Sequence, residues 1–193
     1  MPALAIVYYS AQGHTHELAT AVSEGAASIP GVTSQLVRLQ DADIQNGRWK
    51  NDAQIAIVNA ADGIIFGTPT YMGGYSAQMK AFIDACSGIW FKQLWKDKLA
   101  AGFTHSQGLS GDKLNTLKGL VVNAMQHGMI WVGNAVFPEG DQPDHINRLS
   151  SYTGAMAQSN PNQPNIGPGD KKTGVVFGKR VAETLVRWMA GKK

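Results

Sequence analysis

Five parallel strands in the order 2-1-3-4-5, with helices on both faces of the sheet, form the α/β fold that this 193-residue sequence predicts. Three observations carry the prediction. Apolar runs of strand length alternate with segments of helical period, as in a doubly wound sheet. The first run, Ala3–Tyr9, is almost unbroken, as a central strand buried on both faces requires. Small polar turns follow the first, third and fourth runs, at the sheet edge where such folds bind ligands.

Taken in order, Ala3–Tyr9 leads through Ser10–Thr15 into a helix over His16–Ser28, stopped by Pro30-Gly31. Thr33–Leu39 alternates in polarity and reads as a strand near an edge. Asp52–Ala61 reads as a short helix before Gly63–Gly67, the third strand. Ser76–Ser87 is helical, Leu99–Thr104 is the fourth strand, Lys113–His127 is helical and Met129–Val132 is the fifth strand. Gly174–Ala190 closes the chain as an amphipathic helix. No internal repeat is visible, and residues 1–193 are expected to form a single domain. Within it, residues 134–172 are rich in Gly, Pro, Asn and Ser without a clear period, so a long loop is expected, either a plain surface excursion or a lid or subunit contact.

Composition narrows the function classes. Cys86 is the lone cysteine, which rules out an intrachain disulfide, Cys-ligated iron–sulfur clusters and Cys-rich zinc sites. It falls in an apolar-periodic segment and is expected to be a small core residue. No metal site is expected. The formal net charge of +3 comes from scattered Lys and Arg, so no nucleic-acid surface is expected. No apolar stretch is long enough for membrane insertion, and the first residues lack the features of a signal peptide, so a cytoplasmic location is expected.

The chemistry is expected on three loops. In Ser10-Ala11-Gln12-Gly13-His14-Thr15, Gly13 permits a tight turn and successive amides can form an anion nest at a helix N-terminus. The plain alternative is an ordinary Ser/Thr-capped helix start. The loop lacks Lys and Arg, so a phosphate there would be held by neutral donors, and His14 is expected to be exposed beside it. In Pro69-Thr70-Tyr71-Met72-Gly73-Gly74, the glycines let the backbone approach a planar ring and Tyr71 offers a face for stacking. His105-Ser106-Gln107-Gly108-Leu109-Ser110-Gly111 is small and polar, suited to a second wall, although it also reads as a simple loop.

Tyr8-Tyr9-Ser10-Ala11-Gln12-Gly13-His14-Thr15, Ile65-Phe66-Gly67-Thr68-Pro69-Thr70-Tyr71, Gln78-Met79-Lys80-Ala81-Phe82-Ile83-Asp84 and Gln126-His127-Gly128-Met129 together resemble the WrbA family of FMN-dependent NAD(P)H:quinone oxidoreductases, which have the flavodoxin-like fold. The resemblance runs in order from Ala3 to about Val132 and returns weakly in the final helix. It implies non-covalent FMN, with Ser10, Gln12, Gly13, His14 and Thr15 on the phosphate. Pro69, Thr70, Tyr71, Met72 and Gly73 would then line the ring, bordered by His105, Ser106, Gln107, Gly108 and Gly111 and reached by His127. It also implies that Trp90 and Gln12 face the substrate, and that the protein is a homo-oligomer, dimer or tetramer, whose sites neighbouring subunits complete. The third loop departs from the family's Thr-Gly-Thr-Gly-Gly-like run. Read without the resemblance, His127 is a helix end where an imidazolium favours the dipole, and Trp90 belongs to an aromatic cluster of core or interface.

The implied reaction passes two electrons from NAD(P)H to a quinone-like acceptor by ping-pong hydride transfer through one shared pocket, with the flavin and not a side chain carrying the chemistry. An alternative is a flavodoxin-type electron carrier serving a protein partner, which would normally present an acidic docking face. A phosphorylatable receiver module is disfavoured, because its acid positions here read Tyr9-Ser10 and Thr68-Pro69.

Overall fold

The computed structural model describes residues 1–160 and 165–191. Its elements are β1 (Ala3–Tyr8), α1 (His14–Ala27), β2 (Thr33–Arg38), the hairpin strands β3 (Ile44–Gln45) and β4 (Arg48–Trp49), α2 (Asp52–Ala60), β5 (Gly63–Tyr71), β6 (Gly74–Tyr75), α3 (Ala77–Ala85), α4 (Ser87–Phe91), β7 (Leu99–Ser106), α5 (Lys113–Gln126), β8 (Ile130–Trp131), β9 (Ala155–Gln158) and α6 (Pro168–Ala190).

The main sheet runs β2-β1-β5-β7-β8, all parallel, with β9 also on β7 and β6 turned back antiparallel on β5. This is the flavodoxin-like order expected, with two corrections. The fifth strand is split: β8 pairs with Leu99 and Ala100, the chain leaves the sheet, and β9 returns to pair with Phe103–Ser106. The segment 134–172 is therefore not a continuous loop. It contains β9 and the start of α6, which begins at Pro168 and not at Gly174, and its residues 161–164 lie outside the described ones. β9 (Ala-Met-Ala-Gln) escapes a propensity reading because Ala is a weak strand former; small side chains stand there because Ala155 and Ala157 are sealed in the core.

α6 escapes its true length for a related reason. Its first turns follow Gly167 and hold Pro168 and Gly169, which read as a break, although Pro is well placed in the first turn of a helix. Farther along, Gly174 and Gly178 sit where α6 crosses α1. A methyl group on Gly178 would collide with the Val22 carbonyl, and one on Gly25 with the Val175 carbonyl. Only glycine allows the two backbones to lie this close. The contact clamps α1, and with it the loop that opens α1.

Two apolar layers flank the sheet. Leu4, Ile6, Leu18, Val22, Phe177, Val181 and Leu185 pack on the α1/α6 side. Val7, Phe66, Phe82, Trp95, Leu117 and Leu120 pack on the other. Cys86 lies in the second layer as expected, and burial pushes its thiol up to about 12, so it stays protonated. Among the described residues, no helix is long and apolar enough to cross a membrane.

Candidate functional site

The three loops meet at the carboxyl edge of the sheet. In the first, Ser10 is buried and its Oγ accepts the N–H groups of Gly13 and His16, each at 3.1 Å. Two amides thus converge on one hydroxyl oxygen, as in a Ser-capped helix start, at the end of α1 where an anion is also favoured. Gly13, with φ 96°, supplies the left-handed residue that the turn needs. The Arg38 guanidinium reaches in from the end of β2 and donates to the Ser10 carbonyl at 2.8 Å. A cation is therefore at hand, although the loop carries none.

His14 corrects an expectation. It is buried, not exposed, and its ring lies 5.5 Å from that of His105. Thr15 Oγ1 is hydrogen-bonded to His105 Nδ1 at 3.0 Å. Burial, with His14 and Lys113 adding like charge, pulls His105 down to about 4, so it is neutral near pH 7.

The second loop is less a loop than predicted. β5 continues to Tyr71, pairing Pro69 with His105, and then turns on Met72 and Gly73 into β6. Both turn residues are left-handed (φ 47° and 77°), as a two-residue hairpin of this twist demands. Met72 is fully exposed at the tip and Tyr71 half-exposed below it. Beneath them Thr70 Oγ1 is hydrogen-bonded to Thr104 Oγ1 and to Thr116 Oγ1, both at 2.8 Å. Asn115 donates to the Gly73 carbonyl at 2.8 Å.

The third loop folds over the side chain of Lys113, which donates to Ser106 Oγ, the Gly108 carbonyl and the Leu109 carbonyl at 3.0, 2.7 and 2.8 Å. Gly111 (φ 54°) passes so close to Ser106 that a Cβ there would collide with its hydroxyl. Gln158 of β9 donates to the Gln107 carbonyl at 2.9 Å.

A cleft of about 340 Å³ opens between the loops, lined by Ala11 and Gln12, Thr70–Met72, His105–Gln107, and Ser159. Its size is at the lower end of small-molecule sites. Of the sequence-predicted residues, Gln12, Thr70, Tyr71, Met72, His105, Ser106 and Gln107 line it. Ser10, Gly13, His14 and Thr15 stand beside it in the helix-opening turn, and Pro69, Gly73, Gly108 and Gly111 shape the backbone of the other two loops.

Trp90 and His127 are not brought to the cleft of their own chain. α3 and α5 run from the carboxyl edge back to the amino edge, and both residues lie at that far edge. His127 packs its ring 4.5 Å from that of Trp95, just ahead of β7. It is buried, which pulls its pKa down, so the reading as an imidazolium on the helix dipole does not hold. Trp90, by contrast, is 43% exposed.

Sequence reasoning missed Lys113, Asn115 and Thr116, the first turn of α5 that fastens the second and third loops, together with Arg38 and Ser159. The visible signal was a lysine opening a helix, where a cation opposes the dipole and needs a reason. Among the described residues, no group of His, Cys, Asp or Glu is arranged to hold a metal ion.

The convergent amides beside an open cleft fit a phosphate carrying a planar ring system. Residues 2–143 match the family described as NADPH-dependent FMN reductase. A protein named flavodoxin FldP, from Pseudomonas aeruginosa, is 37% identical over 92% of this chain and 93% of its own length. A protein named NAD(P)H dehydrogenase (quinone), from Geotalea uraniireducens, is 31% identical over 94% of this chain and 97% of its own. The crystal structure of the flavodoxin, WrbA-like protein from Agrobacterium tumefaciens superimposes with a TM-score of 0.77 at 40% identity, covering 97% of this chain and 99% of that one. This chain belongs to the NADPH-dependent FMN reductase family and, within it, to the WrbA-like NAD(P)H:quinone oxidoreductases.

Proposed function

We propose that this protein holds FMN non-covalently in the cleft at the carboxyl edge of the sheet and passes two electrons from NAD(P)H to a quinone-like acceptor by ping-pong hydride transfer. The observation that carries the reading is the meeting of the convergent Gly13 and His16 amides with a cleft walled by the two later loops. When bound, FMN supplies the hydride acceptor and donor. Ser10–Thr15 hold the phosphate through backbone amides and the helix end, with Ser10 Oγ marking where an anionic oxygen is favoured. Tyr71 and Met72 offer apolar surface to a ring. The Thr70–Thr104–Thr116 hydroxyls and Asn115 keep the second loop from shifting. His105, neutral and tied to Thr15, keeps its proton count during turnover at neutral pH. The chain's contribution is placement and fixed dipoles, in place of acid–base catalysis.

The amino edge supports self-association. Trp90, Phe91 and Leu94 are exposed there, as are Val122 and Met125 on the last turns of α5. Trp90 then borders a cleft only as part of a neighbouring copy, whereas His127 is sealed behind the surface and supports that edge from within.

One observation favours a second reading, that of an electron carrier: a relative 37% identical is named a flavodoxin. The net charge of +3 is unlike the acidic face such a carrier presents. Anaerobic mixing decides between them. Protein reconstituted with FMN is expected to be bleached by NADH or NADPH and to regain its colour on addition of benzoquinone. A flavin-loaded protein left unbleached by both nucleotides overturns the oxidoreductase reading in favour of the carrier. Protein that takes up no FMN overturns both.

A further inference from the structure

Lys113 is an unusual residue to find under the site. Its side chain is fully buried, and lysine is almost never sealed from water unless a carboxylate pairs with it. Among the described residues no carboxylate does. Its three protons go instead to a hydroxyl and two backbone carbonyls, all in the third loop. The nearest carboxylate influence is that of Asp170, which is already held in a two-pronged pair with Arg148 at 2.9 Å on each side. The ammonium is thus solvated by dipoles but not neutralised, a costly state in a buried setting. Ser106, which accepts from it, is itself a cleft wall. A positive charge therefore stands one hydroxyl behind the space assigned to the ring.

We propose that Lys113 is the built-in counter-charge of the site, acting through Ser106 and the third loop to favour the reduced, anionic state of bound flavin over the oxidised, neutral one. The inference rests on the reading of the cleft as an FMN site. Two electrons and one proton added to oxidised FMN leave the ring system with one extra negative charge, and a nearby buried cation lowers the free energy of that state. Burial already pulls Lys113 down to about 8, so a new anion beside it has room to draw its proton back. Lys113 is a positioning residue, since Ser106 and not the ammonium faces the cleft.

Redox potentiometry of FMN-loaded protein tests this, paired with affinities for oxidised and dithionite-reduced FMN. In Lys113→Met the ratio of reduced to oxidised affinity is expected to fall about tenfold or more, a drop of about 30 mV for a two-electron couple. Lys113→Arg, which keeps the charge, is expected to stay within about threefold of the parent. A Met variant that binds both redox states equally more weakly, or that changes neither, overturns the counter-charge role and leaves only a tether.

Should Lys113→Met fail to fold, the parent protein still decides. The groups facing the lysine are His105, neutral across the range used, and the Arg148–Asp170 ion pair, with the Asp112 carboxylate adjacent in the chain. Above about pH 8, reduction is expected to take up additional protons as Lys113 recharges. The fall of potential with pH then steepens by up to about 30 mV per pH unit. A slope unchanged from pH 7 to 10 overturns the inference. Protein that takes up no FMN sinks the site reading itself, whereas FMN-loaded protein with either overturning result sinks the lysine inference alone.

Discussion

His105 and His127 stand at opposite edges of one sheet, both almost sealed from water (8% and 3% exposed) and both biased by burial towards the neutral ring. Their surroundings differ. At the carboxyl edge His105 Nδ1 is bonded to the Thr15 hydroxyl, Ser10 closes a turn, and Lys113 has three acceptors. At the amino edge His127 Nδ1 has no hydrogen-bond partner among the described residues, and its ring lies against Trp95. Exposed Trp90, Phe91 and Leu94 are nearby. The carboxyl edge is organised from within, so its loops keep their shape without help; such preorganisation is what a small-ligand site needs. The amino edge has apolar surface that its own chain does not cover, which is why self-association is proposed there.

The largest effect that sharpens this contrast is acid sensitivity. Unfolded, His105 takes a proton near its ordinary 6.5, whereas folded it resists until about 4. The unfolded state therefore binds more protons between those values, and the fold loses stability as pH falls through the window. The full loss from this residue is about 3 kcal/mol. His127 acts with the same sign. Urea unfolding at pH 7.5 and 4.5 is expected to show a smaller pH difference in His105→Gln than in the parent. Equal differences would mean that His105 is not held neutral.

Next in size is Thr70→Val. The hydroxyl it removes joins Thr104 and Thr116 behind the second loop. Leaving buried hydroxyls short of a partner costs about 2 kcal/mol of stability, and FMN affinity is expected to fall with it. Unfolding and flavin-fluorescence titrations measure the two together. An unchanged affinity would show that the threonine cluster supports the core and not the cleft.

Much of the carboxyl edge was legible in the sequence because strand, turn and helix signals lie next to each other there. Gly13 declares its backbone need locally, whereas the left-handed Met72 of the β5–β6 turn does not. What connects the loops was not legible, since Thr70 meets Thr116 and Thr15 meets His105 only after long stretches of chain have folded between them. β9 was hidden by its alanines, and the first turns of α6 by Gly167-Pro168-Gly169, where Gly169 is needed for the close approach of the His145 carbonyl. His127 and Trp90 were assigned to the cleft by resemblance, and nothing local in the sequence says that α3 and α5 carry them to the other edge.

The smallest expected change in fold stability belongs to Trp90→Ala, and it is the most informative about the amino edge. A residue 43% exposed contributes little to its own chain, so unfolding of the isolated chain is expected to shift by no more than about 0.5 kcal/mol. Anchoring an interface is another matter, because truncating a buried aromatic there costs about 2 kcal/mol or more of association. Sedimentation across a dilution series is therefore expected to show the variant dissociating at a concentration at least about tenfold higher than the parent. Quinone reduction per chain should decline over that same range if a neighbour's Trp90 borders the cleft. Identical sedimentation of the two proteins at every dilution would place Trp90 outside any contact between copies, and the cleft would then have to work with the residues of one chain alone.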